Sequence, residues 1–149
     1  MKKALSLAGF LALVVGGGLA IGFLFMPGAW YQGLEKPAFT PPGWLFGPAW
    51  TTLYVLIAIA GWRTWLSGDR GAMRLWMIQL LLNFMWSPIV FGLNNLLCGL
   101  VVILAMWVSI LAFIGNRWSR DMVAAALFLP YLGWVSFATY LNAGLVVLN

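Results

Sequence analysis

Apolar residues run along this chain with few interruptions, and the interruptions are short and polar. Five apolar stretches stand out, at about 4–26, 44–66, 72–93, 96–115 and 122–148. Between them lie a longer segment at 27–43, the turn SGDRG (67–71), the pair Asn94–Asn95, and NRWSRD (116–121). Each stretch is long enough, as a helix, to cross a hydrocarbon core of ~30 Å. The pattern predicts an all-α integral membrane bundle of five transmembrane helices, a single domain over 1–149. The first stretch follows Lys2 and Lys3, as in a signal peptide. Its apolar part greatly exceeds the roughly 7–15 residues of a signal-peptide core, so it is expected to stay as the first helix.

Charge adds an orientation. With five crossings, Lys2, Lys3, Arg63, Arg70, Arg74, Arg117 and Arg120 share one side, and Lys36 alone lies on the other. The positive-inside rule then places the N-terminus in the cytoplasm and the 27–43 segment outside, the pattern of a bacterial inner membrane. The net charge of +5, which in a soluble domain would suggest nucleic acid, here has a topological origin and implies no nucleic-acid partner. Only 7% of residues are charged and 64% are hydrophobic, which leaves no stretch for a soluble domain. There is no histidine, and the acids are Glu35, Asp69 and Asp121. That removes the commonest general base and a histidine metal site, and the acids are too scattered in sequence to suggest a carboxylate dyad or a calcium site, so no metal is expected. The single thiol, Cys98, has nothing nearby in sequence to activate it.

The segment from Trp30 to Tyr54 breaks the apolar pattern. It holds Pro37, Pro41, Pro42 and Pro48 among Trp30, Trp44 and Trp50, with Glu35–Lys36 as an interfacial charged pair able to pin the loop. Proline excludes an ordinary helix over 37–43, and aromatics among prolines suit a membrane–water interface. The segment is either an anchoring interfacial loop or a lid over an intramembrane pocket. Polar side chains inside the helices bear on that choice. Gln79, Asn83 and Ser87 form one stripe at i, i+4 and i+8, and amides in hydrocarbon must turn inward. Trp50 and Tyr54 share a face, as do Tyr131, Trp134, Ala138 and Asn142 after a kink expected at Pro130. Interhelical packing explains any one of these faces. Three inward faces ending near an aromatic loop favour a pocket for a flat, largely apolar ligand.

These residues carry a resemblance. Trp30-Tyr31, Leu34-Glu35-Lys36-Pro37, Thr40-Pro41-Pro42-Gly43, Pro48-Ala49-Trp50-Thr51 and Tyr54 are followed by Leu82-Asn83-Phe84-Met85-Trp86-Ser87-Pro88 with Phe91-Gly92. Pro130-Tyr131-Leu132-Gly133-Trp134 and Ala138-Thr139-Tyr140-Leu141-Asn142 complete the set. In this order they resemble the tryptophan-rich sensory protein or translocator protein family (TspO/MBR; the peripheral-type benzodiazepine receptor in animals), over nearly the whole chain. The resemblance implies a five-helix bundle, usually a homodimer, with a pocket under the first loop. Its ligands would be porphyrins, sterols and synthetic isoquinoline- or benzodiazepine-type compounds. Carried over by position, the pocket would include Tyr31, Pro41, Trp50, Tyr54, Asn83, Trp86, Ser87, Trp134 and Ala138. The sterol pattern of animal relatives needs a basic residue after the tyrosine. Here Tyr140 is followed by LNAGLVVLN, so that pattern is incomplete.

The resulting expectation is a membrane receptor or sensor for protoporphyrin-type tetrapyrroles, requiring no cofactor. One alternative is a light-dependent porphyrin-degrading enzyme working through Trp50 and Trp134, which the resemblance implies. Another is a tetrapyrrole or sterol transporter, against which stand the missing internal repeat and the absence of charged residues in the middle of the helices. For the dimer, Gly18 and Gly22 offer a GxxxG spacing suited to close helix contact.

Overall fold

Three of the helix starts are set by a single side chain each. Asp69 Oδ1 accepts the Ala72 N–H at 3.0 Å, Asn95 Oδ1 the Cys98 N–H at 3.0 Å, and Asp121 Oδ1 the Ala124 N–H at 3.4 Å. Such caps satisfy donors that a helix leaves unpaired at its N-terminus. In the computed structural model, which describes residues 1–149, they divide the apolar stretches into five helical spans. These are α1 (Lys2–Leu24), α2 (Gly43–Ser67), α3 (Arg70–Gly92), α4 (Leu96–Arg117) and α5 (Met122–Leu148). There are no strands, and all five spans are long and apolar enough to cross a membrane. α2 ends on Gly68, whose φ of 75° lets the chain turn sharply toward α3.

Proline reshapes two of the spans. Pro88 cannot donate to the preceding turn, and the last turn of α3 becomes a π-helix over Pro88–Gly92, with Leu93 N–H reaching Pro88 O at 3.0 Å. α5 is interrupted at Phe128, two residues before the expected kink, so that Pro130 falls in the first turn of Leu129–Leu148, where proline is tolerated. A second π turn, Ala12–Gly16, lies in α1 without a proline to announce it. The segment before α2 contains one helical turn, Ala29–Gln32, and no further helix until the 3-10 turn Gly43–Leu45.

Close packing in the bundle depends on glycines set against rings. A Cβ on Gly61 of α2 would lie 2.2 Å from the indole of Trp76 on α3, and Trp76 Nε1 donates to Ile57 O at 2.9 Å. A Cβ on Gly18 of α1 would lie 2.4 Å from the Tyr54 ring. Gly18 therefore packs within the chain, while a Cβ on Gly22 meets nothing. Of the GxxxG pair, Gly18 is thus taken up by contact within the chain and Gly22 stays open. Outward, Leu5, Phe23, Leu81, Leu97, Val101 and Val108 are exposed, as side chains facing lipid are expected to be.

At the end of the bundle that carries the N-terminus, two acids hold three arginines. Arg63 Nε and Nη2 donate to Asp121 Oδ2 and Oδ1 at 3.1 and 3.0 Å, a bidentate pair between the end of α2 and the start of α5. Arg117, 2% exposed, donates to Asp69 Oδ2, and Arg120 lies 3.7 Å from the same oxygen. The Asp69 carboxyl is held below its usual range, first by the Ala72 N–H and then, against desolvation, by the charges of Arg117 and Arg120 and the Arg117 hydrogen bond. At Asp121 desolvation pushes upward, but the Arg63 bonds, the Ala124 N–H and nearby positive charge outweigh it, and the net direction is down.

Two predictions follow from this packing. Gly61→Val drives a methyl into the Trp76 ring and is expected to destabilise by roughly 1–3 kcal/mol, read as a lower unfolding midpoint in detergent. Gly115→Val, where a Cβ meets nothing, is the control that should leave the midpoint unchanged. Because both aspartates are lowered below the unfolded value of about 3.9, their contribution is complete above that pH and is lost as pH falls through their folded values. Thermal stability should hold between about pH 7 and 5 and fall below about 4. The Asp69→Asn, Asp121→Asn double variant should start lower and lose that acid dependence.

Candidate ligand site under the first loop

The site is built outward from one hydroxyl. Tyr131 on α5 donates its O–H to Gln79 Oε1 at 2.8 Å and accepts from Asn83 Nδ2 at 2.8 Å. Gln79 Nε2 donates in turn to Trp76 O at 2.7 Å. All these side chains are buried. Amides placed in hydrocarbon must find partners inside the bundle, and the α3 stripe does so by gripping α5. The inward face expected of Gln79 and Asn83 is present. Ser87, the third member, is only half-buried, and its hydroxyl makes no hydrogen bond within the chain.

Above the hydroxyl stands a group of rings. Trp50 stacks on Tyr54 with centroids 5.6 Å apart and 28° between planes. Its edge contacts are Tyr131 at 6.5 Å and Trp134 at 6.4 Å, and Phe46 meets Trp134 at 5.8 Å. Within this group Trp134 Nε1 is buried without a hydrogen-bond partner, the one buried side-chain nitrogen or oxygen in the chain of which that is true. An unpaired buried donor is costly, and a partner brought by a ligand would remove the cost. The rings touch one another here. A flat molecule between two of them needs about 7 Å from face to face, so it enters only if the rings part.

The 27–43 loop is tied down at several points. Lys36 Nζ donates to the carbonyls of Tyr31, Leu34 and Gln32 at 3.1, 3.2 and 3.4 Å and sits 4.7 Å from the Tyr31 ring centroid. It therefore caps the short Ala29–Gln32 turn and forms no ion pair with Glu35, contrary to the charged pair expected from their adjacency. Burial raises the Tyr31 phenol above its ordinary range. Glu35 takes part through its backbone: its N–H donates to Asn149 Oδ1 at 3.0 Å, and its carbonyl accepts from Asn149 Nδ2 at 2.8 Å. Tyr140 Oη donates to Ala38 O at 2.7 Å, and Pro37 packs so closely on Gly144 that a Cβ there would lie 2.6 Å away. At the tip Phe39 has a φ of 67° and is 86% exposed, a left-handed residue standing out from the bundle.

The expected site residues divide into two groups. Trp50, Tyr54, Asn83 and Trp134 converge around Tyr131, and Ala138, buried one turn beyond Trp134, continues their face. Tyr31 and Trp86 belong to a second group in which both rings meet Phe91 edge-on, at 5.4 and 5.6 Å. Trp86 Nε1 is already engaged, donating to Asn142 Oδ1 at 3.0 Å. Pro41 is half-buried in the loop. Tyr131, Gln79, Phe46 and Phe91 were not among the expected site residues. Tyr131 and Gln79 stood on the right stripes, but only contact across helices shows that they organise the site.

A family model described as the TspO/MBR family matches residues 10–148, a span that contains every one of these side chains. The chain belongs to the TspO/MBR family. It is 47% identical over 123 residues to the tryptophan-rich protein TspO of Archaeoglobus fulgidus, covering 80% of each chain. To protein CrtK of Rhodobacter capsulatus it is 39% identical over 135 residues, covering 87% of this chain and 84% of that one. To the human translocator protein it is 35% identical over 134 residues, covering 84% and 79%. Family membership and the five apolar spans make this TspO/MBR chain an integral membrane protein.

The loop anchor yields a prediction. Gly144→Val places a side chain where Pro37 sits and should lift the loop from α5. Exchange of the Glu35 amide hydrogen, protected by Asn149, is expected to quicken about tenfold or more while amides in the middle of α4 stay protected. Unchanged exchange at Glu35 would show that the loop is held without the Pro37–Gly144 contact.

Proposed function

We propose that this TspO/MBR protein is a membrane receptor or sensor for protoporphyrin-type tetrapyrroles and related flat hydrophobic ligands, bound under the first loop. The observation that carries the reading is the unpaired Trp134 indole N–H inside the ring group. A ligand edge bearing a carbonyl or carboxylate oxygen would accept it, while the faces of Trp50 and Trp134 would stack on the macrocycle. Asn83 gives its N–H to Tyr131, and its amide oxygen accepts nothing within the chain, which suits a pyrrole N–H donor. No charged side chain belongs to the ring group, in keeping with a largely apolar ligand. Entry requires the loop to lift and Trp50 to part from its neighbours. In the orientation proposed here the N-terminus is cytoplasmic and the loop faces outward across a bacterial inner membrane, in a homodimer.

Tryptophan fluorescence titrated with protoporphyrin in the dark tests the reading. Trp50→Ala or Trp134→Ala should weaken binding by roughly 1–3 kcal/mol, by analogy with base–aromatic stacking, and Trp134→Phe by about 0.5–1.5 kcal/mol through the lost hydrogen bond. Wild-type affinity in the Trp50→Ala, Trp134→Ala double variant would overturn the site. Following absorbance under light separates a receptor from a porphyrin-degrading enzyme. Bleaching that Trp50→Phe slows far more than it weakens dark binding would assign Trp50 to chemistry, since phenylalanine stacks but resists oxidation. Orientation is read by an impermeant thiol reagent in intact cells, which should label a cysteine at Gln32 and not one at Gly71.

A further inference from the structure

At the opposite end of the bundle from the loop, a shallow groove of about 210 Å³ runs between α1 and α2, lined by Ser6, Gly9, Phe10, Leu13 and Trp65. We propose that it binds an anionic phospholipid, with one acyl chain along the groove and the headgroup phosphate at Lys2 and Lys3. The lining offers a visitor mostly hydrocarbon and no charge. Ser6 Oγ has its proton engaged, donating to Lys3 O at 2.9 Å, and it accepts from Trp62 Nε1 at 3.0 Å. Phe10 is held between Trp65 and Trp76, with centroids 6.1 and 5.4 Å away, so the groove is preformed. Gly9 keeps it open, because a Cβ there meets nothing within 4 Å.

Charge selects the occupant. Lys2, Ser6, Gly9 and Leu13 fall at i, i+4, i+7 and i+11, so the lining of the groove on α1 leads along one helical stripe to the lysines. Lys2 and Lys3 are exposed and pair with no acid, as are Arg70 and Arg74 at the same end. The acids that might have answered them, Asp69 and Asp121, are taken by Arg117, Arg120 and Arg63, and Glu35 lies in the loop at the other end. An apolar slot headed by unanswered cations suits a lipid with a net negative headgroup, and a zwitterionic lipid, which brings its own cation, less well. Trp65, half-exposed at the groove, has the amphipathic ring expected at headgroup level.

Native mass spectrometry of the full-length protein in detergent, titrated with phosphatidylglycerol and with phosphatidylcholine of identical chains, tests the site. Phosphatidylglycerol is expected to bind at about fivefold lower concentration or better. The Lys2→Gln, Lys3→Gln variant should remove that preference while phosphatidylcholine binding stays as it was. Gly9→Leu, which fills the groove from an open position, should reduce binding of both lipids together. A preference that persists in the lysine variant overturns the headgroup assignment, and unchanged lipid binding in Gly9→Leu overturns the groove. Displacement of phosphatidylglycerol by millimolar inorganic phosphate would overturn the proposal in favour of a simple anion site. Loss of a dimer in Gly9→Leu with lipid binding intact would show that a second copy of the chain covers the groove.

Discussion

Inside a hydrocarbon layer every polar side chain must find its partner within the protein, and the Tyr131 hydroxyl is where this chain meets that constraint. Gln79 and Asn83 on α3 would each be costly without a partner, and one phenol on α5 gives each of them one, donating to Gln79 and accepting from Asn83. The register between α3 and α5 is thereby specified, and Trp50, Tyr54 and Trp134 are brought to one place. A second junction, Trp86 to Asn142 to the Leu96 carbonyl, works in the same way where α3, α4 and α5 meet. Against these paired groups the Trp134 N–H stands bare, buried in the ring group with no partner in the chain.

Glycine next to a large ring is the complementary device. Gly61 under Trp76, Gly18 under Tyr54 and Gly144 under Pro37 let bulky groups lie directly on a neighbouring backbone. Between lipid-exposed helices there is little hydrophobic gain from association, so close van der Waals contact carries more of the stability. The same device joins the loop to the bundle. Pro37 on Gly144, Tyr140 on the Ala38 carbonyl and Asn149 on Glu35 fasten the loop to the last two turns and end of α5. The helix that supplies Trp134 thus also holds the loop, through its own C-terminal turns.

The two ends of the bundle are built on different physics. At the loop end, backbone carbonyls, a capped turn and aromatic edges do the holding, and Lys36 serves as a donor to carbonyls. At the other end, ion pairs between turns lock α2, α3, α4 and α5, with Asp69 and Asp121 acting both as helix caps and as arginine partners. Double use of these acids leaves Lys2, Lys3, Arg70 and Arg74 without a counter-charge from the protein, and an anionic bilayer surface is the natural source of one.

Much was legible in the sequence because hydrophobic length and periodicity are local properties. The five spans, the polar turns, the nonhelical proline segment and the inward stripe of Gln79 and Asn83 all follow from residues within a few turns of one another. Asp69, Asn95 and Asp121 could do their work as caps from sequence position alone, since a cap contacts its own helix. What the sequence left open were relations between helices. Spacing cannot say whether Gly18 faces another chain or Tyr54, whether Lys36 pairs with Glu35 or with three carbonyls, or that Trp86 spends its N–H on Asn142. Nor can it place Tyr131 between two amides, because that depends on the rotation and depth of two helices far apart in sequence. Those choices belong to the tertiary structure, where each donor takes the acceptor that packing brings within reach.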